Sequence, residues 1–109
     1  MLSKKERLSR KEFSRFFSLG KRSNSKIFTL VYSPHPTFHA SVVVPKKVEK
    51  SAVKRNKIRR QIYDIVRSQQ KTEGFVGVFI FLLKSNTKEL KHEEVVEEVL
   101  EIIKKAINK

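Results

Sequence analysis

The chain has 109 residues, no cysteine, and a formal charge of +14 from 25 Lys or Arg against 11 Asp or Glu. The length bounds it to a single domain, residues 1–109, with one modest core that buries about 65% of the unfolded surface. The missing cysteines exclude disulfides, thiolate nucleophiles and cysteine-based zinc sites; no apolar run approaches a membrane span or a signal peptide, so a cytoplasmic protein is expected.

The charge is unevenly placed. Residues 1–26 carry +7, residues 27–45 none, residues 46–60 another +7, and residues 61–109 balance eight bases with eight acids. A surface charged only for solubility mixes its signs. Two basic blocks on a chain whose other half is neutral point to a polyanion site, for which nucleic acid is the commonest candidate.

The first predicted element is a short helix over residues 10–18. Ser9 and Glu12 have capping-box spacing, Leu8 and Phe13 the spacing of a hydrophobic staple, and Gly20 closes the helix. Residues 26–32 (KIFTLVY) and 38–44 (FHASVVV) are rich in β-branched and aromatic side chains and are separated by SPHPT, whose prolines cannot continue a ladder. An antiparallel pair is expected there. Ser51 is an N-cap candidate for a helix running to about Gln70. Residues 74–83 (GFVGVFIFLL) are almost continuously apolar, as a strand buried on both faces would be, and belong in the middle of the sheet. The last element is a long amphipathic helix with Asn86 and Glu89 as a capping box, acids in its early turns, and Lys104 and Lys105 late. The order α-β-β-α-β-α gives an α+β sandwich with helices packed on a mixed sheet.

The helix after Ser51 combines charge with order. Over residues 50–68 seven of nineteen side chains are Lys or Arg, yet Ile58, Ile62, Ile65 and Val66 share one stripe about 100° wide, enough to anchor the helix on a sheet. Asn56, Arg60, Tyr63 and Arg67 fall on the opposite side, flanked by Lys57 and Arg59. An ordinary exposed helix face interleaves Glu with Lys; here Glu49 and Asp64 are the only acids between 46 and 67. A basic face held rigid by packing meets phosphates at fixed spacing with less entropy lost than a flexible tail would lose.

The segment VVVPKKVEKSAVKRNKIRRQIYDIV resembles the signature of the bacterial ribonuclease P protein component, a strand ending in Lys-Lys followed by a helix with an Arg-Asn-Arg-x-x-Lys/Arg pattern. Upstream, RLSRKEFSRFFSLGKR is similar to the family's N-terminal helix, and size, basicity and element order agree over essentially the whole chain. The sequence departs from the pattern at Lys57, which keeps the charge but not the bidentate fork of arginine, at Arg59, where lysine is commoner, and at Pro45, in place of a small residue.

The resemblance implies a subunit of an endoribonuclease, not a self-sufficient catalyst. The RNA partner would carry the active site and its Mg²⁺ ions, and the holoenzyme would remove the 5′ leader of precursor tRNA. It also implies an RNA-facing helix at Arg55, Asn56, Lys57, Arg59 and Arg60, with Lys46 and Lys47 just before it. Phe13, Phe17 and Tyr32 match positions that hold the leader, in a cleft between the sheet and the N-terminal helix. One protein per RNA subunit, and a left-handed β-α-β crossover through the basic helix, are further implications.

Aromatic side chains on a sheet face are how proteins stack unpaired bases. The bland alternative is that Phe13, Phe16 and Phe17, at i, i+3 and i+4, simply pack as core. Protein-based catalysis has little support. His35, His39 and His92 are the only histidines, the glutamates after His92 have the spacing of a solvated face, and no catalytic or metal set is assigned to the protein. No phosphate-binding glycine loop, nucleophile elbow or paired carboxylates occur. A structural RNA-binding protein of the ribosomal type is the alternative reading; it would share the charge but would need no cleft for a single strand.

Overall fold

The computed structural model describes residues 6–85, 87 and 90–108. In chain order the elements are α1 (Arg10–Leu19), β1 (Lys21–Asn24), β2 (Phe28–Ser33), β3 (Phe38–Val43), α2 (Ala52–Glu73), β4 (Gly77–Leu83) and α3 (His92–Ile107). The strands form one mixed sheet in the order β1-β2-β4-β3. The β1–β2 and β2–β4 pairs are antiparallel and β3–β4 is parallel, so β3, α2 and β4 make a β-α-β crossover.

Strand β4 explains the order. Val78 and Ile80 point to the face covered by α1, while Phe79, Phe81 and Leu83 point to the face covered by α2 and α3; all five are essentially inaccessible. A strand apolar on both faces is stable only between two other strands and two helical layers. It therefore takes the place between β2 and β3. These two do run antiparallel to each other, but they are not paired, which corrects the hairpin-like expectation from their sequence proximity. The sequence also concealed β1, whose KRSN has no apolar alternation to reveal it.

The main core lies between the sheet and α2/α3. Ile58, Ile62, Ile65 and Val66 of α2, and Val95, Val99, Ile102, Ile103 and Ala106 of α3, pack there against Phe28, Leu30, Ala40, Val42, Phe79 and Phe81. The smaller cluster on the other face joins Val31, Val78 and Ile80 to Leu8, Phe13, Phe16 and Phe17. No side chain of α1 is fully buried.

The helix ends follow local chemistry. Ser9 and Glu12 form the predicted capping box: the Ser9 N–H donates to Glu12 Oε1 at 3.0 Å, and the Glu12 N–H to Ser9 Oγ at 3.2 Å. Gly20 ends α1 with an ordinary extended backbone (φ −70°, ψ 155°), so a left-handed cap is not its reason. A Cβ there would lie 2.5 Å from Val31 Cγ1 and 2.9 Å from the Phe16 carbonyl oxygen; glycine lets the chain turn directly against β2. Gly74 does cap α2 in the left-handed conformation (φ 70°), and the helix runs to Glu73, three residues beyond the predicted end. The Asn86–Glu89 capping box lies outside the described residues. α3 begins at His92, where the Lys91 N–H donates to Glu94 Oε1 at 3.1 Å. Among the described residues no helix is long and apolar enough to cross a membrane.

Candidate nucleic-acid interface

The apolar stripe of α2 fixes which of its basic side chains face out. Asn56, Lys57 and Arg60 are exposed, and Arg55 and Arg59 are partly covered. Ahead of the helix, the Val48 and Glu49 N–H groups both donate to the Pro45 carbonyl. This turn presents Lys46 and Lys47 to solvent. Its end is tied to the helix: Arg55 Nη1 donates to the carbonyls of Glu49 (3.0 Å) and Lys50 (2.8 Å), and Ser51 Oγ accepts from the Lys54 N–H at 3.3 Å. Arg59 Nη2 donates to Asn56 Oδ1. The seven sequence-predicted positions thus fall on α2 and the turn before it, with Arg55 also holding turn and helix together.

Two of the four residues predicted opposite the apolar stripe do not face outward. The Tyr63 hydroxyl accepts from the Val42 N–H at 3.1 Å, and Arg67 Nη1 is paired with Glu6 Oε1. They line the outer edge of β3, where the Ala40 N–H donates to the Glu6 carbonyl at 2.9 Å. An edge strand leaves backbone groups without strand partners; Tyr63 on the flank of α2 serves the Val42 N–H, and the Glu6 carbonyl serves the Ala40 N–H.

A second surface lies beside α1. Phe13 and Phe17 stack, with centroids 5.6 Å apart and planes at 18°, and Phe16 meets the edge of His35 at 6.1 Å. All three phenylalanines are half-buried. Arg22 of β1 lies over the Phe17 ring, 4.7 Å from its centroid, and Arg15 over Phe16 at 5.6 Å. Thr37 Oγ1 links His35 Nδ1 (3.1 Å) and His39 Nε2 (2.7 Å). The Ser9 N–H, and then the Ser9 side chain, hold the Glu12 carboxyl below the usual glutamate range.

Tyr32 is not part of this surface. It sits directly across from Phe79 in the β2–β4 register, and their rings are 5.1 Å apart on the face covered by α2 and α3. Phe13 and Phe17 are brought together; Tyr32 lies on the opposite side of the sheet. At the cleft-facing position of β2 the residue is Val31.

The ribonuclease P family model matches residues 2–107. The chain belongs to the ribonuclease P protein family. The ribonuclease P protein component of Synechococcus sp. is 31% identical over 103 residues, covering 89% of this chain and 77% of the relative. That of Syntrophus aciditrophicus is 32% identical over 101 residues, covering 90% and 84%. Among solved structures, the RNase P protein from Thermotoga maritima superposes with a TM-score of 0.81 at 21% identity, covering 92% of this chain and 96% of that one. A Staphylococcus aureus RNase P protein gives 0.73 at 18% identity. These two likenesses establish the fold.

Family membership does not favour the ribosomal-type alternative. Sequence reasoning missed Arg22, because a basic residue in KRSN carries no sign of the strand that aims it at Phe17. It also missed the His35–Thr37–His39 link, whose only sequence signal is the i, i+2, i+4 spacing of three polar residues around a proline turn. No group of three or more His, Asp or Glu suited to a metal ion occurs among the described residues.

Proposed function

We propose that this chain is the protein subunit of ribonuclease P, binding the RNA subunit one-to-one through α2 and the Pro45–Val48 turn, and the 5′ leader of precursor tRNA along the α1 surface. The RNA partner, with Mg²⁺ ions it holds itself, cuts the phosphodiester; the protein lowers the cost of bringing two polyanions together. The expected setting is the bacterial cytoplasm. The observation that carries this reading is the α2 face, where Asn56, Lys57 and Arg60 are exposed on a helix whose other side is locked into the core. Such a surface neutralises phosphates without ordering a flexible tail.

Purified protein, a bacterial ribonuclease P RNA and precursor tRNA should be combined at low Mg²⁺. The expected result is leader removal only when protein and RNA are both present. Cleavage by repurified, RNA-free protein would refute the proposal, as would failure of the protein to restore cleavage.

A further inference from the structure

The planar groups beside α1 form a row. Phe13 stacks on Phe17, and the guanidinium of Arg22 lies over Phe17 at 4.7 Å. Arg22 reaches that place because β1 pairs it opposite Val31, whose side chain also faces α1. The neighbouring residues of β1, Lys21 and Ser23, pair with Tyr32 and Leu30 and turn to the other face. Phe17 is therefore engaged by both Phe13 and Arg22. Arg22 is the exposed member of the row.

An arginine stacked on a ring is suited to an unpaired nucleotide. Its plane stacks on bases as an aromatic ring does, the ring beneath holds it by cation–π attraction, and the N–H groups around its rim donate in fixed directions to phosphate. Lysine can supply the charge but neither the plane nor the fork. Positive charge alone would not single out Arg22, since Arg10, Lys11, Arg15 and Lys21 are exposed nearby in the chain. The stacking geometry does: Arg15 also lies over a ring, Phe16 at 5.6 Å, but Arg22 is closer, at 4.7 Å, and its ring is itself a member of the stacked Phe13–Phe17 pair. With Tyr32 turned to the other face, the phenylalanines and tyrosine of the described strands all lie on the α2/α3 side, and the strand ring on this side is His39 of β3.

We propose that Arg22, held on Phe17, is the leader-specific contact of this protein, stacking on an unpaired leader nucleotide while its rim N–H groups donate to the leader backbone. This rests on the reading of the chain as a ribonuclease P subunit.

The test uses the reconstituted holoenzyme with Arg22→Lys, which preserves charge. Affinities for precursor tRNA, for the same precursor with its leader shortened stepwise, and for mature tRNA are measured over a salt series. The variant should bind precursor about tenfold more weakly, within the usual worth of one base stack, with an unchanged salt slope and unchanged mature tRNA affinity. The difference from the parent protein should vanish once the leader is gone. Full precursor affinity in Arg22→Lys would overturn the proposal, and so would equal loss of precursor and mature tRNA. Arg22 is exposed on a short edge strand, so thermal melts should match the parent's. Failure of the subunit reading looks different: the unmodified holoenzyme would then show no preference for precursor at all.

Discussion

The Tyr63 hydroxyl accepts a hydrogen bond from the Val42 backbone N–H at 3.1 Å, joining the middle of α2 to the outer edge of β3. The same helix that carries the basic face thereby satisfies a backbone donor of the edge strand. Tyr63→Phe removes the acceptor and keeps the ring. It should cost about 1 kcal/mol in urea unfolding, the net worth of a typical hydrogen bond, and leave the salt dependence of RNA binding unchanged.

Arg60 and Arg55 should behave differently, although both are arginines of one helix. Arg60 is exposed, so Arg60→Ala should keep the melting temperature and reduce the slope of log K against log salt by roughly 0.7 to 0.9 per lost phosphate contact. Arg55 anchors the Glu49 and Lys50 carbonyls. Arg55→Ala should lower both RNA affinity and the order of the Pro45–Val48 turn, seen as altered amide shifts at Lys46 and Lys47. Unchanged slopes in Arg60→Ala and Lys57→Ala together would mean that α2 is not the RNA surface.

Phe17 and Tyr32 separate the two faces of the sheet. Phe17→Ala removes the ring beneath Arg22 and should weaken precursor tRNA binding by about 1 to 3 kcal/mol, with mature tRNA little affected. Tyr32→Ala removes the partner of Phe79 in the main core. It should cost about 2 kcal/mol of stability, less than full burial would imply, and leave the ratio of precursor to mature tRNA affinity as it was. Loss of that ratio in folded Tyr32→Ala would place the leader on the wrong face here.

The Ser9–Glu12 box gives α1 a response to acid. Glu12 titrates below its ordinary 4.5, first through the Ser9 N–H and then through the Ser9 side chain. A carboxyl whose folded value is depressed contributes its full stabilisation above the ordinary value, and loses it as pH falls through the folded one. Fraying of α1 should therefore begin below pH 4.5. In a carboxyl-detected NMR titration, Ser9→Ala should move Glu12 only part of the way back, because its backbone N–H remains. A Glu12 midpoint at or above the ordinary value in the intact protein would contradict the box.

How much of this was readable in advance depended on whether the signal was local. The Ser9 cap, the α2 stripe and the doubly buried β4 are set by residues a few positions apart, and each was found close to its observed bounds. Pairing is decided at long range. Residues 26–32 and 38–44 look like neighbours because the sequence between them is short, and only the burial demand of β4 separates them. The site divided the same way: the α2 basic face follows from helical period, whereas the side on which Tyr32 falls depends on strand register, where a shift of one residue exchanges the faces. Helical period alone turns Tyr63 and Arg67 outward, because it takes no account of the β3 edge and Glu6 that engage them.

The insertion of β4 between β2 and β3 sets a problem in time. The two strands that flank β4, β2 and β3, are joined by residues 34–37 alone, and a hairpin forms in about 1 to 10 μs. Residues 44–83 take on the order of 2 to 8 s to emerge during synthesis at roughly 5 to 20 per second. The nascent chain has to keep a slot open for a strand that does not yet exist. Pro34 and Pro36, exposed in the connection, have fixed φ and no N–H to close a tight turn, and are expected to disfavour a premature β2–β3 hairpin. Replacing both with Ala should add a slow, trapped phase to stopped-flow refolding; a variant that refolds as fast and as uniformly as the parent would show that the slot needs no guard.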